Sequence, residues 1–343
     1  MFENFWGNRY AQKTLAGMIE SERIPQTLLF AGLEGLGKAT LARRFAARVL
    51  GGADKIELDD LSLPANDAVV ATREKLPAEK RNEDPLVFAS HPDFQTFPPD
   101  GPLRQLSIPQ MRLLKERAQF KPLKGSRRVF LIDHADRAGE QAANSLLKTL
   151  EEPPDHMILI MTAENVYDLL PTIRSRSVIV DFSPLTNGDM QAFAGARGLK
   201  DPERRIALSG GSPGLAATLD IELFEKRRAS MLALLKAGAG TASYGAWLPI
   251  AEALGRGKSE KLEMYLKLLY ELLRDITLLR EGGPAIRNAD LRRELSALAD
   301  KVSRTWILNA VKGVDEIAGL LRRNIQKNIA LDGLLMRLRS VNE

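Results

Sequence analysis

The sequence predicts an α/β domain built on a parallel sheet, followed by an all-helical remainder, and three observations predict it. The amino-terminal half alternates short apolar runs ("TLLFAG", "DFQTF", "RRVFLID", "HMILIMTA", "SVIVDF") with helical patterns such as "ATLARRFAARVLG", "IPQMRLLKERAQF" and "AANSLLKTLEE". The apolar runs lack strict alternation, as strands covered on both faces do. After "DFSPLT" such runs stop, and everything from Asn187 onward reads as helix and turn.

Composition sets the outer bounds. A chain of 343 residues, 44% hydrophobic, suffices for two or three packed domains. No apolar run approaches the roughly 20 residues that span a bilayer, and "MFENFWGNRY" has neither a basic start nor an apolar signal core, so a cytoplasmic location is expected. The absence of cysteine excludes disulfides and thiolate-bound zinc, and His91, His134 and His156 offer no ligand spacing, so no metal site is predicted. A net charge of +5 is compatible with a polyanionic partner but does not select one.

The first strand leads into "GLEGLGKAT". Gly32, Gly37 and Lys38 satisfy G-x-x-x-x-G-K, with Gly35 between them, and the stretch sits between an apolar strand and a helix. Backbone N–H groups freed by glycine, a helix N-terminus and a lysine are what a phosphate needs. The next position, which should offer Mg²⁺ a hydroxyl, is Ala39, and Thr40 lies one residue too late, about 100° around the helix. Asp133, ending "VFLID", is the acidic partner able to hold Mg²⁺ directly or through water. His134 occupies the place of a water-activating glutamate and reads better as a strand-end residue than as a base.

Between these elements, residues 51–90 form a polar, proline-containing stretch that reads as a surface insertion or mobile excursion. A domain boundary is expected near Ser183. Turn signals at "GLKDPE" and "SGGSPG" follow, then long helical patterns from about Ile221. Leu262, Tyr265, Leu266, Leu269, Leu273 and Ile276 recur at helical spacing, as do Leu331, Leu334, Leu335 and Leu338. Each stripe reads first as bundle core and second as a subunit interface.

Seven strings then carry a resemblance over nearly the whole chain: "LLFAGLEGLGKATLA", "SHPDF", "VFLIDHADR", "NSLLKTLEEPP", "LLPTIRSRS", "SGGSPGLA" and "NIQKNIALDGLLMRL". In this order they resemble the bacterial clamp-loader subunits of the AAA+ class, and "HPDF" resembles the delta-prime branch of DNA polymerase III rather than the gamma or tau motors. The resemblance implies an AAA+ ATPase-like domain over 1–182, a helical lid over 183–220 and a helical collar over 221–343. It implies a non-hydrolysing stator in a hetero-pentamer with gamma/tau and delta, acting through that complex on the sliding clamp and primer–template DNA, with no membrane. It implies no required cofactor and at most weak ATP or anion binding by Gly32, Gly35, Gly37, Lys38 and Asp133; the four-cysteine zinc module of many such subunits is not expected here, because the chain has no cysteine. Gly214 stands where active relatives place a lid arginine in G-S-x-R.

Arg176 has two readings. From the residues alone, it ends "YDLLPTIRSR" and satisfies helix-end carbonyls. By resemblance, Ser175, Arg176 and Ser177 stand for a Ser-Arg-Cys motif, and Arg176 would be an arginine finger acting in trans on a neighbour's ATP, with Arg174 the nearest competitor. Two other functions compete with the stator: an autonomous AAA+ ATPase using Thr40 and His134 as substitutes, and a DNA-binding protein using "KPLKGSRR", which reads more simply as a solvated turn.

Overall fold

Six strands form one sheet: β1 (Thr27–Ala31), β2 (Phe88–His91), β3 (Phe94–Phe97), β4 (Arg128–Ile132), β5 (Met157–Ala163) and β6 (Val178–Asp181), in the order β2-β3-β4-β5-β1-β6. This computed structural model describes residues 2–256, 262–283, 286–320 and 326–340; Asn324 and Ile325, which open the last of the seven strings, lie outside them. The five strands expected from sequence pair in parallel. The sheet is nonetheless mixed, because β2 adds an antiparallel edge to β3. Four residues, two of them exposed, left β2 without an apolar signal.

The sheet separates two cores. Along β4, Phe130 and Ile132 pack with Met111, Leu114, Leu146 and Leu150 on one face, whereas Val129 and Leu131 pack with Leu41, Phe45 and Phe94 on the other. Burial on both faces is why these strands do not alternate with polar residues. The surrounding architecture is that of an AAA+-like domain followed by an all-helical region.

"SHPDF" makes the β2–β3 hairpin. His91 Nδ1 accepts a hydrogen bond from the Asp93 amide, and the buried Asp93 carboxylate accepts from the amides of Leu123 and Lys124 at 2.7 and 2.8 Å. This residue therefore fixes both the turn and the entry to β4.

Residues 51–90 correct the alternative of a mobile excursion. They form helices at Ala53–Ile56, Pro64–Arg73 and Ala78–Glu83, with a 3-10 turn at Glu57–Asp59. Buried Arg43, on the helix Lys38–Leu50, pairs with Glu57 and Asp60; buried Arg73 pairs with buried Asp100 at 2.8 Å and donates to Asp84 O at 2.6 Å. Ile56 and Val70 are buried as well. Paired charges are thus the anchors of a segment too polar to be held by apolar contacts alone.

The chain divides into two compact units: Met1–Pro202 with Gly211–Ala217, and Glu203–Gly210 with Thr218–Glu343. The second contains the helices Ile221–Gly238, Tyr244–Arg256, Leu262–Arg280, Arg292–Lys301, Arg304–Leu320 and Lys327–Ser340. Both leucine-rich stripes lie in its core, together with Trp247 and Trp306. Trp306 Nε1 donates to Leu338 O at 3.0 Å, so its indole is buried with the polar atom satisfied. Fully buried Asp275 accepts from the Asn288 amide and side chain, both at 2.8 Å, fixing the turn beyond Arg280. Among the described residues no helix is long and apolar enough to cross a membrane.

Candidate nucleotide site and the Arg176 corner

The glycine-rich loop joins β1 to the helix Lys38–Leu50, whose N-cap is Gly37. Gly32, Gly35 and Gly37 all have positive φ, at 146°, 76° and 85°. These glycines also permit close approach. A Cβ on Gly32 would meet Phe182 O at 2.3 Å, one on Gly35 would meet Ser212 Oγ at 2.3 Å, and one on Gly37 would meet the Phe5 ring at 2.9 Å.

Over this loop lies the segment that resembles a lid motif. Gly214 N donates to Gly35 O at 2.8 Å, Ser212 Oγ donates to Glu34 O at 3.0 Å, and Leu215 N donates to Ser212 Oγ at 3.2 Å. A Cβ on Gly214 would stand 2.8 Å from Gly35 Cα and 2.9 Å from Gly35 O. The glycine found in place of a lid arginine is therefore demanded by the backbone it faces.

Lys38 turns back onto its own loop. Its Nζ donates to Gly32 O at 2.5 Å and to Leu33 O at 2.8 Å. Burial pushes the ammonium below its ordinary pKa, while the carboxylates of Glu164, Asp133, Asp136 and Glu34 oppose that shift. Asp133, at the end of β4, is brought to the same corner and accepts from Thr162 Oγ1 at 2.6 Å; Thr162 Oγ1 in turn accepts from the His134 amide at 2.8 Å. His134 has φ of 52° and follows the strand as a turn residue. A magnesium–triphosphate group requires the lysine, the loop amides and a hydroxyl; here the lysine is engaged by carbonyls, Gly214 abuts the loop and Ala39 has no hydroxyl. As arranged, these residues do not fit that group.

The structure brings Gly32, Gly35, Gly37, Lys38 and Asp133 together and holds Arg176 through different partners. Arg176 follows the short helix Pro171–Arg174, and its guanidinium donates through Nη2 to Glu151 Oε1 at 2.9 Å and through Nη1 to Thr172 O at 3.1 Å. Arg174 instead lies over the ring of exposed Tyr167, 5.0 Å from its centroid.

With this geometry in place, known proteins discriminate among its relatives. A family model described as "DNA polymerase III, delta subunit" matches residues 77–186. The DNA polymerase III subunit delta-prime of Pseudomonas aeruginosa is 28% identical over 335 residues, 91% of each chain, and that of Bacillus subtilis is 25% identical over 341 residues, 95% of this chain and 93% of its own. The chain matches the delta-prime family of clamp-loader subunits. By contrast the Bacillus subtilis tau subunit, 26% identical over 228 residues, aligns with 64% of this chain and 37% of its own length. The delta-prime likeness thus reaches through the helical region as well as the sheet.

Several contributors to the site escaped sequence reasoning. Thr162, which orients Asp133, left one trace, a hydroxyl inside the apolar run "HMILIMTA". Phe5 reaches the loop from a distant segment with no local signature, and Ser212, visible in the sequence within "SGGSPG", gave no sign that its hydroxyl would bond the loop.

Proposed function

We propose that this member of the clamp-loader family works as a non-hydrolysing stator, assembled with gamma/tau motor subunits and delta into a hetero-pentamer that loads the sliding clamp on primed DNA. In this role residues 1–182 act as the ATPase-like domain, 183–220 as the lid and 221–343 as the collar through which the ring assembles. Arg176 is the finger presented to the neighbouring motor's ATP, where a planar, permanently charged fork can stabilise the transferring phosphoryl group. The relatives named delta-prime support the family role, and the family's pattern supports the finger.

The observation that carries the non-hydrolysing part is the closed loop: Lys38 bonded to Gly32 O and Leu33 O beneath the Gly214–Gly35 hydrogen bond. The test is co-purification of the full chain with the motor subunits and delta, with ATP turnover measured for the isolated chain and for the complex, with and without clamp and primed DNA. The expected result is a stable complex whose turnover the chain alone does not reproduce. Turnover by the isolated chain at the rate of a motor subunit, abolished by Lys38→Ala, would instead establish an autonomous ATPase.

A further inference from the structure

We infer that Glu151 is a positioning residue that restrains Arg176 until an anion competes for it, an inference resting on Arg176 as the finger. Glu151 ends the helix Glu140–Glu151, in the string "KTLEEPP", where Pro153 and Pro154 stop the helix. Its side chain turns to Arg176 of the same chain, across 25 residues.

What matters is which guanidinium atoms are engaged. Nη2 is bonded to Glu151 Oε1 at 2.9 Å, and Nη1 to Thr172 O at 3.1 Å and Ser175 Oγ at 3.4 Å. A finger meets phosphate oxygens through these same terminal nitrogens. Glu151 therefore competes with the phosphate instead of aiming the fork at it. A buttress that aimed the fork would hold Nε and leave the terminal nitrogens free.

The restraint is built to be released. The Arg176 and Glu151 side chains are 36% and 50% exposed, so water screens their attraction and can solvate each when they part. Arg174 does not replace Arg176 at Glu151, because its guanidinium lies over Tyr167. Of the two arginines in "IRSR", one is stacked on an aromatic ring and the other is held by one exposed carboxylate together with Thr172 O and Ser175 Oγ. The carboxylate loses Arg176 whenever a more highly charged oxyanion is presented in the right geometry.

The experiment compares Glu151→Gln, Arg176→Ala and the double variant in the reconstituted complex, reading ATP turnover without clamp or DNA. Glu151→Gln keeps the helix end and removes the charge, so it should raise this basal turnover by about two- to five-fold, the span expected for an exposed ion pair. The gain should vanish in the Arg176→Ala background, and Glu151→Asp should restore part of the restraint. A gain that persists without Arg176, or a fall in turnover with Glu151→Gln, would overturn the inference. If Arg176→Ala alone leaves turnover unchanged, the finger itself fails; if it lowers turnover while Glu151→Gln does nothing, only the restraint fails. Independently of the motor subunits, nitrogen NMR of the isolated chain should show faster rotation of the Arg176 guanidinium in Glu151→Gln than in the parent. Equal rates would rule out the restraint even where the kinetic variants assemble poorly.

Discussion

The phosphate-type loop and the Arg176 corner have similar chemistry, each a cation beside carboxylates, yet they are held in opposite ways. Lys38 is buried, bonded to two carbonyls and covered by a backbone contact that tolerates no side chain. Arg176 is partly exposed and bonded to one carboxylate and a helix-end carbonyl. A cation enclosed by backbone has become part of the fold. One held by side chains at the surface keeps the freedom to change partners.

The largest expected effect breaks the comparison at the exposed end. Arg176→Ala should leave the unfolding transition of the isolated chain nearly unchanged, yet lower hydrolysis at the adjoining motor site by about 10³- to 10⁵-fold in single-site measurements. Arg176→Lys should behave like alanine, since it keeps the charge and loses the fork. Full hydrolysis in a complex of normal composition would remove Arg176 from the reaction and move attention to Arg174.

The buried end should respond with the reverse profile. Gly35→Ala places a methyl 2.3 Å from Ser212 Oγ at a φ of 76°, so it should destabilise the folded chain by about 1–3 kcal/mol in urea unfolding. Gly214→Arg should also destabilise and should not create a nucleotide site, because its Cβ already meets Gly35. Wild-type stability in Gly214→Arg would mean that the two segments separate easily.

Ala39→Thr sharpens the comparison by restoring the missing hydroxyl while leaving Lys38 engaged. Calorimetric titration with Mg²⁺–ATP should show less than about a tenfold gain in affinity, since one ligand does not free the lysine or the loop amides. A larger gain would show that the loop opens readily and that the hydroxyl alone was lacking.

The smallest effect is a pH dependence. Burial lowers the Lys38 pKa in the folded chain, so between that value and 10.5 the unfolded chain binds more protons and stability rises with pH. Lys38→Met removes this contribution. The wild type should therefore gain stability relative to the variant as pH rises through that window, and a parallel pH profile for the two would show that the ammonium is not buried at any cost.

Much of this fold was legible because its determinants are local. The five parallel strands and the two leucine stripes follow from runs and spacings within a few residues, and Gly32 to Lys38 announce their turn directly. What remained hidden depends on residues far apart: β2 needs the hairpin set by Asp93, and the helices of 51–90 need Arg43 and Asp100. The same holds at the site. Ala39 and Gly214 were visible as departures from a pattern, but the reason for Gly214 is a backbone 178 residues away from its neighbour Ser212, at Glu34 and the adjoining Gly35.

The facing glycines also bear on reversibility. Ser212 and Glu34 tie together the same two segments that Gly214 and Gly35 bring into contact, and a side chain added to either glycine strikes the other segment. Placing any side chain at Gly214, an arginine included, therefore requires the facing loop at Gly35 to move first. The contact between two residues without side chains thus resists being opened by a single substitution on either side.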